Sequence, residues 1–221
     1  MKVRSEYDSQ LSELKHELIR MASLVEEVLA GGMRALVARD PDAAQRVIDS
    51  DDEIDDLQMD IEDRCITLIA TQQPLAGDLR AIFAAIKMGT DLERIADYGV
   101  GVARAALQFK GEEYIKPLID LPRMTDIACE MLRKSVRAFT EGSAELAAEA
   151  ASHDAEMDAL FAQVYRELMT YVLETPKHIR QMVSFVLIAR YLERVGDHIT
   201  NVCEWIVYNA TGKRVDLGHA K

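Results

Sequence analysis

The sequence predicts an all-α protein: two tandem three-helix bundles, six long antiparallel helices in all, produced by an internal duplication. Three observations lead there. Apolar residues recur at spacings of three, four and seven along nearly the whole chain. No period-two run and no Asn-Gly or Asp-Gly turn offers a strand or hairpin in competition. And one short stretch, Leu92-Glu93-Arg94-Ile95-Ala96-Asp97, returns 100 residues later as Leu192-Glu193-Arg194-Val195-Gly196-Asp197. Two further segments repeat at an offset of 103: Met33-Arg34-Ala35-Leu36 with Val136-Arg137-Ala138-Phe139, and Asp51-x-Glu53-x-Asp55 with Asp154-x-Glu156-x-Asp158. A short deletion in the turn between the last two helices of the second unit reconciles the offsets, so the repeating unit is three helices long.

The elements follow in order. Residues 1–7 read as frayed, and a first helix runs from about residue 8 to 39 with Leu11, Leu14, Leu18, Met21, Val25, Val28, Leu29, Met33 and Leu36 on one stripe. Asp40-Pro41 is a start signal, cap then proline, for a second helix. It buries Ala44, Val47, Ile54, Leu57, Ile61, Cys65, Leu68 and Ile69 and breaks at Gln72-Gln73-Pro74. A third helix continues to Phe109 with Leu79, Ile82, Phe83, Ile86, Leu92, Ile95 and Val102 inward. Residues 110–117 are turn-like and Pro122 marks another boundary, which divides the chain into a first bundle, residues 1–111, and a second, residues 112–221. Helix four spans about 121–139. Ser143 caps helix five, which ends near Leu173; Thr175-Pro176 repeats the cap-then-proline signal, and helix six runs to about Asn209. The tail from Thr211 reads as mobile.

Composition narrows the function. Of 221 residues, 26 are Lys or Arg and 38 are Asp or Glu, a net charge of −12. Binding to nucleic acid or to an anionic membrane is driven by cationic side chains, so neither is expected. The richest apolar run, residues 182–189, is too short to span a bilayer, and the first ten residues carry no signal-peptide core. A cytoplasmic protein is expected. Cys65, Cys129 and Cys203 are too far apart for a zinc site or a disulfide framework and read as core thiols.

The acidic residues carry the chemistry. Glu93 and Asp97 share one helix face, as do Glu193 and Asp197, because residues i and i+4 are neighbours on a helix. Asp51 and Asp55, and Asp154 and Asp158, are matching pairs one helix upstream. Counted from the turn at Pro74, Asp55 is 19 residues before and Glu93 19 after; around Pro176, Asp158 is 18 before and Glu193 17 after. In antiparallel hairpins the pairs therefore sit level, and four carboxylates converge on each bundle. A cation belongs there: Arg94 and Arg194, or metal ions. Carboxylate oxygens without Cys suit Mg²⁺, Mn²⁺, Ca²⁺ or iron, and zinc less naturally. Asp52 and Asp56 offer a competing register in the first half. Glu13 and His16 have a Glu-x-x-His spacing with no second copy, so His16 reads as a surface residue. His198, beside Asp197, is a candidate outer partner. Arg80, Lys87 and Arg94 fall seven apart on one face and read as a salt-bridged stripe. Gly99 and Gly101 read as close-packing positions. No phosphate loop, nucleophile elbow or Cys–His pair appears, so no enzyme is expected.

With the Asp-x-Glu-x-Asp segments and the two Glu-x-x-x-Asp motifs in view, the sequence resembles the phosphate-specific transport system accessory protein PhoU family over nearly its whole length. That resemblance implies two three-helix bundles, surface metal sites in some members, and homodimers or larger oligomers. It implies a negative regulator that couples the ATPase subunit of the high-affinity phosphate importer to a sensor histidine kinase. Such a protein would meet membrane complexes only through its protein partners. By the same resemblance, metal ligands (Mg, Mn, Fe or Zn) fall on Asp51, Asp55, Glu93, Asp97, Asp154, Asp158, Glu193 and Asp197. Two other readings compete with the adaptor: a carboxylate-bridged metalloenzyme, and a structural module without metal.

Overall fold

The computed structural model describes residues 2–218, and their side chains from Tyr7 onward; within these residues the secondary structure is helical, without strands. The helices are α1 (Lys2–Ala38), α2 (Pro41–Asp49), α3 (Asp51–Gln72), α4 (Ala76–Gln108), α5 (Asp120–Glu141), α6 (Ala144–Ala151), α7 (Asp154–Glu174) and α8 (Ile179–Thr211). A 3₁₀ turn, Pro176–His178, joins the last two.

Most ends lie where their residues require. Asp40 accepts hydrogen bonds from the Asp42 and Ala43 amides, both at 3.0 Å, and Pro41 follows it as the first helical residue. Ser143 accepts from the Leu146 amide at 3.2 Å. Each caps donors that have no partner inside the helix. Thr175 does not cap; its proline opens the 3₁₀ turn instead. The first helix begins at Lys2, well before the expected start near Asp8.

The second and fifth expected helices are each broken in two. Ser50 separates α2 from α3, and its hydroxyl donates to the Val47 carbonyl at 2.8 Å. Ser152 stands between α6 and α7, and its hydroxyl donates to the Glu149 carbonyl at 2.7 Å. A hydroxyl that back-bonds to a carbonyl one turn earlier competes with the helical ladder and bends it. The apolar stripe runs on through both bends, so periodicity alone hides them. Ser50 immediately precedes Asp51, and Ser152 stands two residues before Asp154, so each bend lies at the start of its acidic segment.

Helices α1, α4, α5 and α8 form the middle of the molecule, with α2–α3 packed outside α1 and α4 and α6–α7 outside α5 and α8. The two units meet along α4 with α8 and α1 with α5. Both pairs run antiparallel: Lys15 reaches the Thr140 carbonyl and Arg133 reaches Glu26, while Asp91 meets His198 and Gly101 meets Tyr191. Asp91 and Tyr191 are counterparts in the repeat, as are Tyr98 and His198, so a pseudo-twofold axis crosses here. One apolar core runs through both units. Glycines let α1 and α4 approach closely. A Cβ on Gly32 would lie 2.7 Å from the Gly99 carbonyl oxygen, and one on Gly99 would lie 2.8 Å from Val28.

The connection between the units is pinned. The Gln181 side chain accepts from the Ile115 amide at 2.6 Å and donates to the Glu113 carbonyl at 3.1 Å. The Tyr114 hydroxyl donates to the Leu36 carbonyl. All three cysteines are buried and free, and burial pushes their thiols up to about 12, 11 and 12 for Cys65, Cys129 and Cys203, which leaves them unreactive at neutral pH. Ile69, Leu79 and Phe83, expected inward, are substantially exposed near the α3–α4 turn, although the Phe83 ring still packs edge-on against Trp205 of α8 at 5.7 Å. The described part of the tail is docked, not mobile: the Leu217 amide donates to Glu204, and the Arg214 guanidinium stacks over Trp205 and Tyr208. His219 lies outside the described residues.

Candidate functional site

Each unit brings its two acidic pairs to one place. In the first, Asp51 opens α3 and Asp55 follows one turn later, while Glu93 and Asp97 stand a turn apart on α4. Burial, then the charges of Asp55 and Asp97, raises the Asp51 pKa. Burial and then Asp97 raise those of Asp55 and Glu93. A carboxylate that loses water and gains an anionic neighbour holds its proton harder. Asp52, Asp55 and Asp56 all lie at exposed positions and Asp51 is half-buried, while Asp51 and Asp55 feel Asp97 across the helix pair. Arg94 answers part of this charge, at 2.9 Å from Asp97 and 3.4 Å from Glu93, and Arg104 reaches Asp51 at 4.0 Å.

The second cluster is deeper. Asp154 on α7 is 7% exposed and Glu193 on α8 is 9% exposed. Burial, followed by Asp158, Asp197 and Glu193, pushes the Asp154 carboxyl up to about 7. Asp158 and Glu193 are also raised, by burial first and Asp197 second. The depth has a local cause. A Cβ on Gly196 would lie 2.6 Å from Asp154 Oδ1, so the bare glycine admits the carboxylate, whereas Ala96 occupies the equivalent place in the first unit. Arg194 bridges Asp197 at 2.9 Å, as Arg94 does Asp97, and Arg190 pairs with Glu193. Three buried polar atoms here make no hydrogen bond: Asp154 Oδ1, Glu193 Oε2 and Thr200 Oγ1. All three residues line a groove of about 680 Å³ together with Asp158, Asp197 and Glu204.

The other candidates have different employments. His16 is exposed, and Glu13 pairs with Arg64 at 2.8 Å. His198 turns away from Asp197, and its Nδ1 lies 2.9 Å from Asp91, which also accepts from Asn201. Arg94 serves the first cluster, Lys87 lies over the Phe83 ring, and Arg80 packs beside Gly212. Sequence reasoning missed Arg104, Arg190, Thr200 and Glu204. Arg190 was legible as a cation three residues before Glu193; the others lie beyond the repeated motif.

Among the described residues, no three His, Cys, Asp or Glu side chains are gathered closely enough to hold a metal ion as they stand. Arginines pair with Asp51, Glu93 and Asp97 in the first cluster and with Glu193 and Asp197 in the second. The donor set nevertheless fits a hard cation: all oxygen, paired on facing helices, with two buried carboxylate oxygens in the second cluster, Asp154 Oδ1 and Glu193 Oε2, that accept no hydrogen bond. Asp97 and Asp197 would have to release their arginines to join such an ion.

The fold and the twin clusters define a class: a duplicated helical-bundle protein that presents two level acidic faces. The comparisons carry this to a family. The PhoU domain model matches residues 18–106 and 121–206, one match in each unit. A phosphate-specific transport system accessory protein PhoU homolog of Clostridium acetobutylicum is 39% identical over 97% of this chain and 98% of its own length. The homolog of the same name in Aquifex aeolicus is 40% identical over 96% of each chain. The crystal structure of PhoU from Pseudomonas aeruginosa superposes with a TM-score of 0.90, at 32% identity, covering 94% of this chain and all of that one. The chain belongs to the PhoU family.

Proposed function

We propose that this protein is a negative regulator of phosphate uptake and of the phosphate-starvation response. It acts in the cytoplasm, as a homodimer, between the ATPase subunit of the phosphate importer and a sensor histidine kinase. The observation that carries this reading is full-length similarity to accessory proteins of phosphate-specific transport in both units. Two further features support it. Among the described residues, no helix is long and apolar enough to cross a membrane, so contact with a transporter runs through protein surfaces. And the acidic faces are built to bind. Asp51, Asp55, Glu93 and Asp97 in one unit, with Asp154, Asp158, Glu193 and Asp197 in the other, hold Mg²⁺, Mn²⁺, iron or zinc ions that replace the arginines and relieve carboxylate repulsion.

One observation favours the metalloenzyme reading: an acid raised to about 7, as Asp154 is, sits in the range useful for proton transfer. Deletion of the gene separates the two. In cells grown in abundant phosphate, the regulator reading expects high alkaline phosphatase or another starvation-induced product. Normal repression, with phosphatase or oxidase activity in the metal-loaded protein, would replace it with the enzyme.

A further inference from the structure

The two clusters occupy equivalent places in the repeat, each beside two arginines, yet the second has further acidic residues around it. Arg104, which reaches Asp51, has Glu204 as its counterpart. Val100 has Thr200, which is 3% exposed and whose buried hydroxyl makes no hydrogen bond. After α4 the chain must cross to the second unit, and the connection is held at the far end of α8 by Gln181. After α8 it is free to turn back, and it does. Arg214 stacks over Trp205 at 5.1 Å, the Leu217 amide donates to Glu204 Oε1 at 2.8 Å, and Gly218 lies against Thr200. Asp216 and Gly218 thereby become part of the wall of the second groove. Arg190, whose counterpart is Thr90, offsets part of the added negative charge but is committed to Glu193.

We propose that the second carboxylate cluster is completed by the chain's own C-terminal strap, with Asp216 and Glu204 as additional anionic groups. On this basis it binds a multivalent hard cation more tightly than the first cluster, and the bound cation locks the strap against α8. The inference rests on the cation-binding reading of the clusters given above. It goes beyond that reading by making the two sites unequal and by coupling one of them to a surface segment. Asp154 Oδ1 and Thr200 Oγ1 supply the independent pointer to an occupant, since buried polar atoms without a hydrogen bond are rare in folded proteins; Glu193 Oε2 accepts none either, though Arg194 Nε lies 3.9 Å from it. An ion in the groove would meet carboxylates from two helices and from the strap, so binding it and ordering the strap reinforce each other.

The test is a Mn²⁺ titration of the metal-stripped full-length chain, with free Mn²⁺ read by electron paramagnetic resonance. Amide hydrogen exchange is followed at Leu217 and Gly218. The wild type should show two classes of site. Asp158→Asn should remove the tighter class and Asp55→Asn the weaker. Asp216→Asn should weaken only the tighter class, by roughly tenfold, the size seen when a group supporting a metal site is removed. Mn²⁺ should slow exchange at Leu217 and Gly218 in the wild type, and less so in Asp216→Asn. Circular dichroism should find the variants folded, since the substituted side chains lie outside the core. If Mn²⁺ binds in two classes but Asp216→Asn leaves both affinities and the exchange rates unchanged, the strap has no part and this inference falls alone. If the wild type binds no Mn²⁺, the cation reading of the clusters falls and the inference with it.

Discussion

Asp154 should cost the metal-stripped protein stability at neutral pH, and replacing it with Asn should return that stability. The carboxyl is buried, faces three other acids, and leaves Oδ1 without a hydrogen bond. Its pKa is raised from 3.8 to about 7. The folded state therefore holds this proton more tightly than the unfolded state. Between the two values the folded form binds more protons, so stability falls as pH rises, and the loss is complete above the folded value. At about 1.4 kcal/mol per pH unit, the loss approaches roughly 4 kcal/mol as an upper bound. For a chain of this size each kcal/mol moves the melting temperature by about 2–4 °C. In chelator at pH 8, Asp154→Asn should melt several degrees above the wild type, and the gap should close towards pH 4. The assay is calorimetry or thermal circular dichroism across that range. Equal melting temperatures at pH 8, or a gap independent of pH, would refute the burial and repulsion on which this rests.

Other expectations follow from the same geometry. Asp97→Asn with Asp197→Asn should lower the metal content measured by elemental analysis while leaving the helical signal intact, because the change hardly alters helix propensity. Gly32→Ala drives a methyl group to 2.7 Å from the Gly99 carbonyl and should destabilise by about 1–3 kcal/mol, read as a lower denaturant midpoint. Gln181→Ala removes both bonds that pin the connection between units, and should speed exchange of the Ile115 amide and cost about 1–3 kcal/mol.

The legible parts of this protein were those that repeat or alternate. The helices, the Asp40 and Ser143 caps and the level pairing of Asp55 with Glu93 follow from spacing, because helix periodicity and antiparallel return convert sequence distance directly into height. The breaks at Ser50 and Ser152 were not legible, since a single hydroxyl bond bends a helix without disturbing its apolar stripe. The inequality of the two clusters was only half visible. Ala96 and Gly196 stand in the motif itself, but what the missing methyl admits is the Asp154 carboxylate from another helix. The docking of the tail was hidden altogether. Its anchors are one stacked arginine and one amide-to-Glu204 bond, neither of which has a period. The same holds for His198, which chose Asp91 across the pseudo-twofold over its sequence neighbour Asp197.

The acidic faces are proposed as the surfaces through which repression runs. The direct measurement is repression of a starvation-induced product in phosphate-replete cells that lack the chromosomal gene and carry a plasmid copy. The copy is either wild type or the Asp55→Asn, Asp158→Asn double variant, with protein levels matched. The account predicts that the wild type restores repression and that the double variant, folded and present at equal level, does not. Full repression by the double variant would contradict it and move the regulatory surface elsewhere on the bundles.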